Sequence, residues 1–348
     1  MIAFERPTAE AVAAYSAAMA RFWHPVCPAA KIGDGPHFVE LLGRPLTMVR
    51  LGAELACFDD VCRHMGASLS LATVVPGPNG DGPVLRCAYH GWSYDASGRC
   101  VDIPARRGVP IPRDARVRAY PARERYGLVW VCLAGTAEAV GDIPDFPEYD
   151  DPEFHRTPLR VYEPWASSAP RIVMGALDDT HFPWVHPGLL GDPEHPEAPD
   201  HQAYQEGDYL VSTYSILQPA NETISGQDAG GGLESVTYTN WCTPSSIRLL
   251  KAGPAGRYSI YEVVCPVAHD RSLIFLQMAR DFDLDPGRDD EYVTFEDVIQ
   301  EQDRPIVESQ RPWLLPPLSS RLMLYVRPAD LPLVAYQKWM EALGVPQI

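Results

Sequence analysis

Between Pro25 and about Leu133, apolar residues arrive in short runs. These are PLTMVRL (45–51), ELACFDDVC (54–62), PVLRCAYH (83–90) and GLVWVCL (127–133), separated by turns rich in Gly and Pro. Runs this short and regular predict a small antiparallel β domain, bounded here at residues 25–135. The pattern on either side is different. Residues 8–23 read as a helix, capped by Thr8 and favoured by Ala11, Ala13, Ala14, Ala17 and Ala18, and residues 1–24 are expected to pack on the second domain. Residues 134–157, rich in Asp, Glu, Pro and Gly, read as an ordered linker. After it come a polar, interrupted helix (about 170–182) and five long runs of strand character, at 209–217, 232–242, 245–253, 257–267 and 272–282. Two further helices, about 290–311 and 331–343, close the chain. One long antiparallel sheet packed against late helices makes residues 136–348 an α+β domain.

At 348 residues the chain is long enough for two such domains, and 46% hydrophobic with 22% charged residues is an ordinary globular composition. No run of eighteen apolar residues predicts a membrane helix. The N-terminal residues carry Glu5 and Arg6 with no basic segment leading an apolar one, so no secretory signal is expected. A formal charge of −17 disfavours nucleic acid and anionic membrane as partners. Of the eight cysteines, Cys27, Cys57, Cys100, Cys132, Cys242 and Cys265 are scattered without framework spacing. They are expected to be buried thiols in a reducing, cytoplasmic setting.

The other two cysteines stand in the stretch from Val61 to Asp95, VCRHMGASLSLATVVPGPNGDGPVLRCAYHGWSYD, as Cys62-x-His64 and Cys87-x-x-His90. Two thiolates and two imidazoles in paired short loops suit a [2Fe–2S] centre of Rieske type, where Cys₂ holds one iron and His₂ the other. Zinc accepts the same four ligands. Its usual spacing pairs Cys with Cys and His with His, whereas each loop here offers one of each. Residues 76–82 read as a surface turn that absorbs the long spacer between the loops.

A second group lies in LDDTHFPWVH (177–186), where four residues separate His181 from His186. Satisfied structural histidines near a helix end are the ordinary reading of such a pair. Pro183 between them is expected to break the helix and turn His186 back toward His181. Asp178, three residues before His181, would share its helix face and orient the imidazole through its second nitrogen, with Asp179 the adjacent alternative. Downstream, Phe295, Ile299, Asp303 and Ile306 are spaced by four, four and three, which sets a carboxylate inside an apolar stripe. Carboxylates are rarely buried unless paired or bound to metal, so either Arg304 or another neighbour pairs with Asp303, or a cation does. Two His and one carboxylate form the facial triad of non-haem Fe(II) oxygenases, which leaves positions open.

Together these motifs resemble the Rieske non-haem iron oxygenases of the aromatic-ring-hydroxylating type, catalytic α subunit, from about Trp23 to the C-terminus. The likeness is carried by the two cluster loops with Gly91-Trp92 and Tyr94-Asp95, by Asp178-x-x-His181-x₄-His186, and by Gln302-Asp303-x₄-Glu308-x-Gln310. RYGLVWVCLAG (125–135), DIPDFPEYDDPEFH (142–155) and EQDRPIVESQRPWLLP (301–316) are most similar to the homotrimeric monooxygenase and demethylase branch. Within it the saxitoxin-pathway hydroxylases come first, with dicamba, vanillate and methylxanthine demethylases more distant. One departure is Gly175, where many members have Asn three residues before the bridging Asp; tuning of the site is expected from it, not loss of iron.

The resemblance implies an N-terminal Rieske [2Fe–2S] domain and a C-terminal helix-grip (START-like) catalytic domain. It implies Cys62, His64, Cys87 and His90 as cluster ligands, and His181, His186 and Asp303 as ligands of a mononuclear Fe(II). It further implies Asp178 as an intersubunit bridge that bonds His181 and faces His90 of the next subunit in a head-to-tail homotrimer. Electrons from NAD(P)H would arrive through a ferredoxin and/or flavin reductase. With O₂ they would hydroxylate a small organic molecule, or remove an N- or O-methyl group as formaldehyde. The competing readings are an aromatic-ring cis-dihydroxylating dioxygenase and a decayed cluster protein that only carries electrons. Eight arginines (Arg99, Arg106, Arg107, Arg113, Arg116, Arg118, Arg123 and Arg125) face only Asp102, Asp114 and Glu124 between residues 99 and 125. They form either a docking patch for an acidic redox partner or unrelated loop charges. Met174, Phe182, Tyr238 and Trp241 are candidate pocket residues, although residues of these types more often fill a core, which is the stronger reading.

Overall fold

A computed structural model describes residues 5–78, 80, 82–220 and 232–345. The chain divides into two compact units, Ala20–Ile143 on the one hand and Met1–Met19 with Pro144–Ile348 on the other.

In the first unit the short apolar runs become strands, paired throughout as antiparallel neighbours. One sheet joins β1 (His24–Pro28), β10 (Ala122–Arg125) and β11 (Leu128–Val131) in the order β1-β11-β10. A second joins β2 (His37–Leu41), β3 (Arg44–Leu51), β4 (Glu54–Asp59) and β9 (Ala119–Tyr120) in the order β2-β3-β4-β9. A third joins β5 (Thr73–Pro76), β6 (Pro83–Arg86), β7 (Ser93–Tyr94) and β8 (Cys100–Asp102) in chain order. Alternation along these strands delivers Val49, Leu51, Ala56, Phe58, Leu85 and Tyr94 to one apolar cluster, and Cys62 and Cys87 lie within it. The predicted surface turn joins β5 to β6 as a hairpin; its Asn79 and Asp81 lie outside the described residues.

The second unit is built on one eight-stranded antiparallel sheet. Its strands are β12 (His155–Arg156), β13 (Arg160–Trp165), β14 (Gln202–Glu206), β15 (Tyr209–Pro219), β16 (Leu233–Thr243), β17 (Ser246–Gly253), β18 (Gly256–Ala268) and β19 (Arg271–Arg280). They run β12-β19-β18-β17-β16-β15-β14, with β13 also paired to β19. The helices are α1 (Ala9–Met19), α2 (Ala169–Leu177), α3 (Phe182–Val185), α4 (Asp289–Ser309) and α5 (Leu331–Ala342). Thr8 caps α1 as expected, its Oγ1 accepting from the Ala11 N–H at 3.2 Å. Helix α2 packs on β17 and β18 and also meets α4.

Three local expectations are corrected. The helix expected over 170–182 stops at Leu177, where Asp178 turns extended (φ −78°, ψ 133°). The Asp178 carboxylate accepts from the Thr180 N–H at 3.0 Å and its hydroxyl at 2.7 Å, a local turn that competes with helix. Asp178 and His181 therefore meet through that turn and share no helix face. Pro183 breaks nothing: it sits in the first turn of α3, where a missing N–H costs least. His181 and His186 flank that single turn as its N-cap and C-cap. On α4 the inward stripe continues from Ile299 through Asp303 to Val307, which is buried, while Ile306 is 51% exposed.

Candidate functional site

The two cluster loops are copies of one backbone device. Cys62 N–H donates to Ala67 O at 2.8 Å, and Gly66 N–H to Cys62 O at 2.9 Å. In the second loop Cys87 N–H donates to Trp92 O at 2.9 Å, and Gly91 N–H to Cys87 O at 3.1 Å. Each loop closes through a glycine at positive φ, +77° at Gly66 and +72° at Gly91, a conformation that a side chain would strain. Both thiols are buried, while His64 and His90 are exposed, their rings 4.5 Å apart edge to face. His64 stacks on Trp92 at 4.7 Å. This polarity fits a cluster whose thiolate iron faces the core and whose imidazole iron faces out. One partner went unread in the sequence. Arg63 N–H donates to Tyr94 Oη at 3.2 Å, so the phenol's own proton is free for Cys62 Sγ at 3.1 Å. Burial and that bond together push the Tyr94 pKa up.

In the second unit His181, His186 and Asp303 come together, their ligand atoms all within 4.8 Å of one another. His181 Nε2 lies 3.4 Å from Asp303 Oδ1, and His186 Nε2 lies 3.0 Å from the same oxygen. The far side of each ring is held. His181 Nδ1 donates to Asp178 Oδ2 at 3.2 Å, and His186 Nδ1 donates to Gln302 Oε1 at 2.7 Å. With both Nδ1 atoms donating, the two Nε2 lone pairs face each other across 3.2 Å. Such a pair suits a shared cation far better than it suits a hydrogen bond. Burial works against a charged His181, but the Asp178 and Asp303 carboxylates outweigh it and push its pKa up to about 9. Burial likewise works against both carboxylates, yet their bonds to the imidazoles leave Asp178 and Asp303 below the usual range. The same negative field that retains a proton here attracts a metal ion. Two nitrogens and one carboxylate oxygen on one side are the donor set of a facial-triad iron.

A cavity with access to solvent opens beside the triad. Phe182 and Tyr238 line it, together with Leu249, Ile260 and Ile299. Met174 is buried outside its wall, and Trp241 faces the other side of the sheet beneath the Arg248 guanidinium, 3.8 Å from its ring. Asp179 does not serve His181. Its Oδ1 accepts from His201 Nε2 at 2.8 Å in a fully buried pair. At Gly175 a Cβ would stand 3.3 Å from Val307 Cγ2, so the glycine lets α2 and α4 approach closely next to the triad.

Residues 22–121 match the Rieske [2Fe-2S] domain family, and residues 165–345 match the vanillate O-demethylase oxygenase C-terminal domain. The chain is a Rieske non-haem iron oxygenase. It is 32% identical to the methylxanthine N1-demethylase NdmA of Pseudomonas putida, across 92% of this chain and 88% of that one. It is 30% identical to the N3-demethylase NdmB of the same organism, across 94% and 90%. Its fold superposes on the structure of Pseudomonas putida CBB5 NdmA with caffeine at a TM-score of 0.81, with 30% identity and coverage of 95% and 92%. The demethylases that sequence motifs ranked as a distant likeness thus match nearly end to end. This Rieske oxygenase carries a [2Fe–2S] cluster and a mononuclear iron, uses O₂, and works on a small molecule with electrons from redox partners. Among the described residues, no helix is long and apolar enough to cross a membrane.

Proposed function

We propose that this Rieske oxygenase demethylates a nitrogen on a small planar heterocycle by hydroxylating the methyl carbon. The observation that carries the reading is the convergence of His181 Nε2, His186 Nε2 and Asp303 Oδ1 at one end of a largely apolar cavity. The names of the two full-length relatives, both N-demethylases, select the reaction within the class. In balance, N–CH₃ with O₂, two electrons and two protons gives N–CH₂OH and water; the carbinol then loses formaldehyde and leaves N–H.

His181, His186 and Asp303 hold the iron, which supplies O₂ activation when bound. Cys62, His64, Cys87 and His90 hold the cluster. Asp178 keeps the proton on His181 Nδ1, and Gln302 keeps it on His186 Nδ1, so both Nε2 atoms stay available. Phe182, Leu249 and Ile299 give the cavity apolar walls, which disfavour water beside a bound substrate. We assign Asp178 the bridge to His90 of a neighbouring subunit in a head-to-tail homotrimer. NAD(P)H-derived electrons enter from a ferredoxin or flavin reductase, in the cytoplasm. Arg106, Arg107 and Arg113 are exposed and no acid pairs with them among the described residues, which suits an acidic partner.

The test supplies the iron-loaded protein with NADH, a surrogate reductase and a panel of N-methylated heterocycles. Formaldehyde released one-for-one with substrate consumed is the expected result. Ring cis-diol formation, or NADH oxidation that yields only peroxide whatever the substrate, would overturn the reading.

A further inference from the structure

Across the middle of the large sheet, one buried cation has no acid at ion-pair distance among the described residues, although the Glu296 and Glu234 carboxylates act on it from farther off. Register places Tyr214 opposite Tyr238, Tyr238 opposite Lys251, Lys251 opposite Tyr258 and Tyr258 opposite Arg280, one row over five strands. Three of its other members have polar partners. Tyr238 Oη donates to Gln218 Oε1 at 2.7 Å, Tyr258 Oη to Glu296 Oε1 at 3.1 Å, and Arg280 pairs with Asp289 at 2.9 Å. Lys251 is 4% exposed. Among the described residues no carboxylate comes within ion-pair distance of it; Glu296 and Glu234 favour its charge from farther off, and the rings of Tyr238 and Tyr258 lie 5.3 and 5.9 Å from its ammonium. Ring faces at that range return only part of what an ammonium loses on leaving water, so such a group is costly unless an acceptor reaches it.

Lys251 lines the cavity that holds the triad. So does Gln300, three residues before Asp303 on α4. Its Nε2 donates to Glu262 Oε2 at 3.0 Å, while its Oε1 is buried with no partner. The cavity thus presents one ammonium with no ion-paired acid and one unmet acceptor, on walls that also carry the Glu262 and Glu296 carboxylates beside Ile247, Leu249, Ile260, Phe295 and Ile299. Buried polar groups left open in this way favour a ligand that completes them and discriminate against one that cannot.

We infer that Lys251 and Gln300 select the substrate. Lys251 takes an oxygen acceptor on a flat ring, either a ring carbonyl or a carboxylate, and Gln300 Oε1 takes an N–H or O–H donor on the same molecule. The assignment rests on the oxygenase reading of the cavity. It concerns binding, so it is tested without turnover.

Equilibrium binding to the iron-loaded enzyme, with no reductant, separates the cases. The probes are theobromine (ring carbonyls and one ring N–H), caffeine (carbonyls only), 4-methoxybenzoate (a carboxylate) and 1-methylbenzimidazole (neither). Theobromine or 4-methoxybenzoate should bind at least about tenfold more tightly than 1-methylbenzimidazole, the usual scale for a hydrogen bond to a charged group. Whichever of the two binds better names the source of the acceptor. Lys251→Met should lose about ten- to a hundredfold for that probe and under about twofold for 1-methylbenzimidazole. Gln300→Leu should weaken theobromine and leave caffeine unchanged. Iron content and cluster absorbance report whether each variant has folded; if Lys251→Met has not, the wild-type comparison still decides. Acceptor-bearing probes that bind no better than 1-methylbenzimidazole, or unchanged affinity in a folded Lys251→Met, overturn the inference. Formaldehyde release by the wild type is a separate measurement, so the demethylase reading stands or falls independently.

Discussion

Replacing Gln302 by Leu removes the acceptor behind His186 and touches no proposed iron ligand. The bond it deletes is short, 2.7 Å, and His186 is wholly buried, with 0% exposure. Water therefore replaces that acceptor poorly, although Gln302 itself is partly exposed. A buried donor left without a partner costs about 1–3 kcal/mol. The imidazole can relieve that cost by moving its proton to Nε2, but Nε2 is the nitrogen that faces Asp303 and the iron. Either way the penalty falls on metal binding, and at about 1.4 kcal/mol per factor of ten it amounts to a loss of about ten- to a hundredfold in iron affinity. The assay is an anaerobic competition for Fe(II) against a chromophoric chelator, with cluster absorbance counting the chains. Gln302→Glu keeps an oxygen acceptor at the same position and should bind iron at least as well as the wild type. A Leu variant whose affinity stays within about twofold of wild type would refute the reasoning, as would a Glu variant as weak as the Leu variant.

Asp303→Ala should keep the visible spectrum of the cluster while iron falls from about three to about two per chain; a variant that keeps the third iron and its activity would remove Asp303 from the site. Tyr94→Phe should lower the cluster's reduction potential, because the phenol donates to Cys62 Sγ at 3.1 Å and thiolate sulfur accepts more strongly when the cluster is reduced. A difference of about 1 kcal/mol corresponds to about 40 mV for one electron, readable in a potentiometric titration, and an unchanged potential counts against the bond. Reversing Arg106 and Arg107 to Glu should slow cluster reduction by an acidic ferredoxin about tenfold at low ionic strength and flatten its salt dependence, measured by stopped flow. Equal rates in variant and wild type would place the docking surface elsewhere.

The chemistry-bearing residues were legible because metal sites constrain residue type and spacing at once. Cys62, His64, Cys87 and His90 announce a pair of loops, and the strands around them follow from alternation and turn residues. What the sequence hid was contact between residues far apart in the chain: Tyr94 against Cys62, Gln302 against His186, His201 against Asp179. No periodicity encodes such pairs. Two of the local errors share one cause. Asp178 and Pro183 were read for what they do inside a helix, whereas the Asp178 side chain ends the helix and Pro183 begins the next turn. One signal stood in plain sight. In the run SSIRLLKAG, Lys251 falls in phase with Ile247 and Leu249, the inward positions, where a lysine needs a reason.

The loop Asp178-Asp179-Thr180-His181 directs two adjacent carboxylates to opposite tasks, and the division explains why both are there. Asp178 bonds His181 and Asp179 bonds His201. Were both to face the metal, three carboxylates with Asp303 would surround a divalent ion and leave a net negative charge in a mostly buried place, which is costly. With Asp179 pinned by His201, only Asp178 and Asp303 would face a divalent ion held by the triad. The backing groups of the two imidazoles follow the same arithmetic. His181 is backed by a carboxylate and His186 by a neutral carboxamide, so a charged partner fixes the first ring and a neutral one the second.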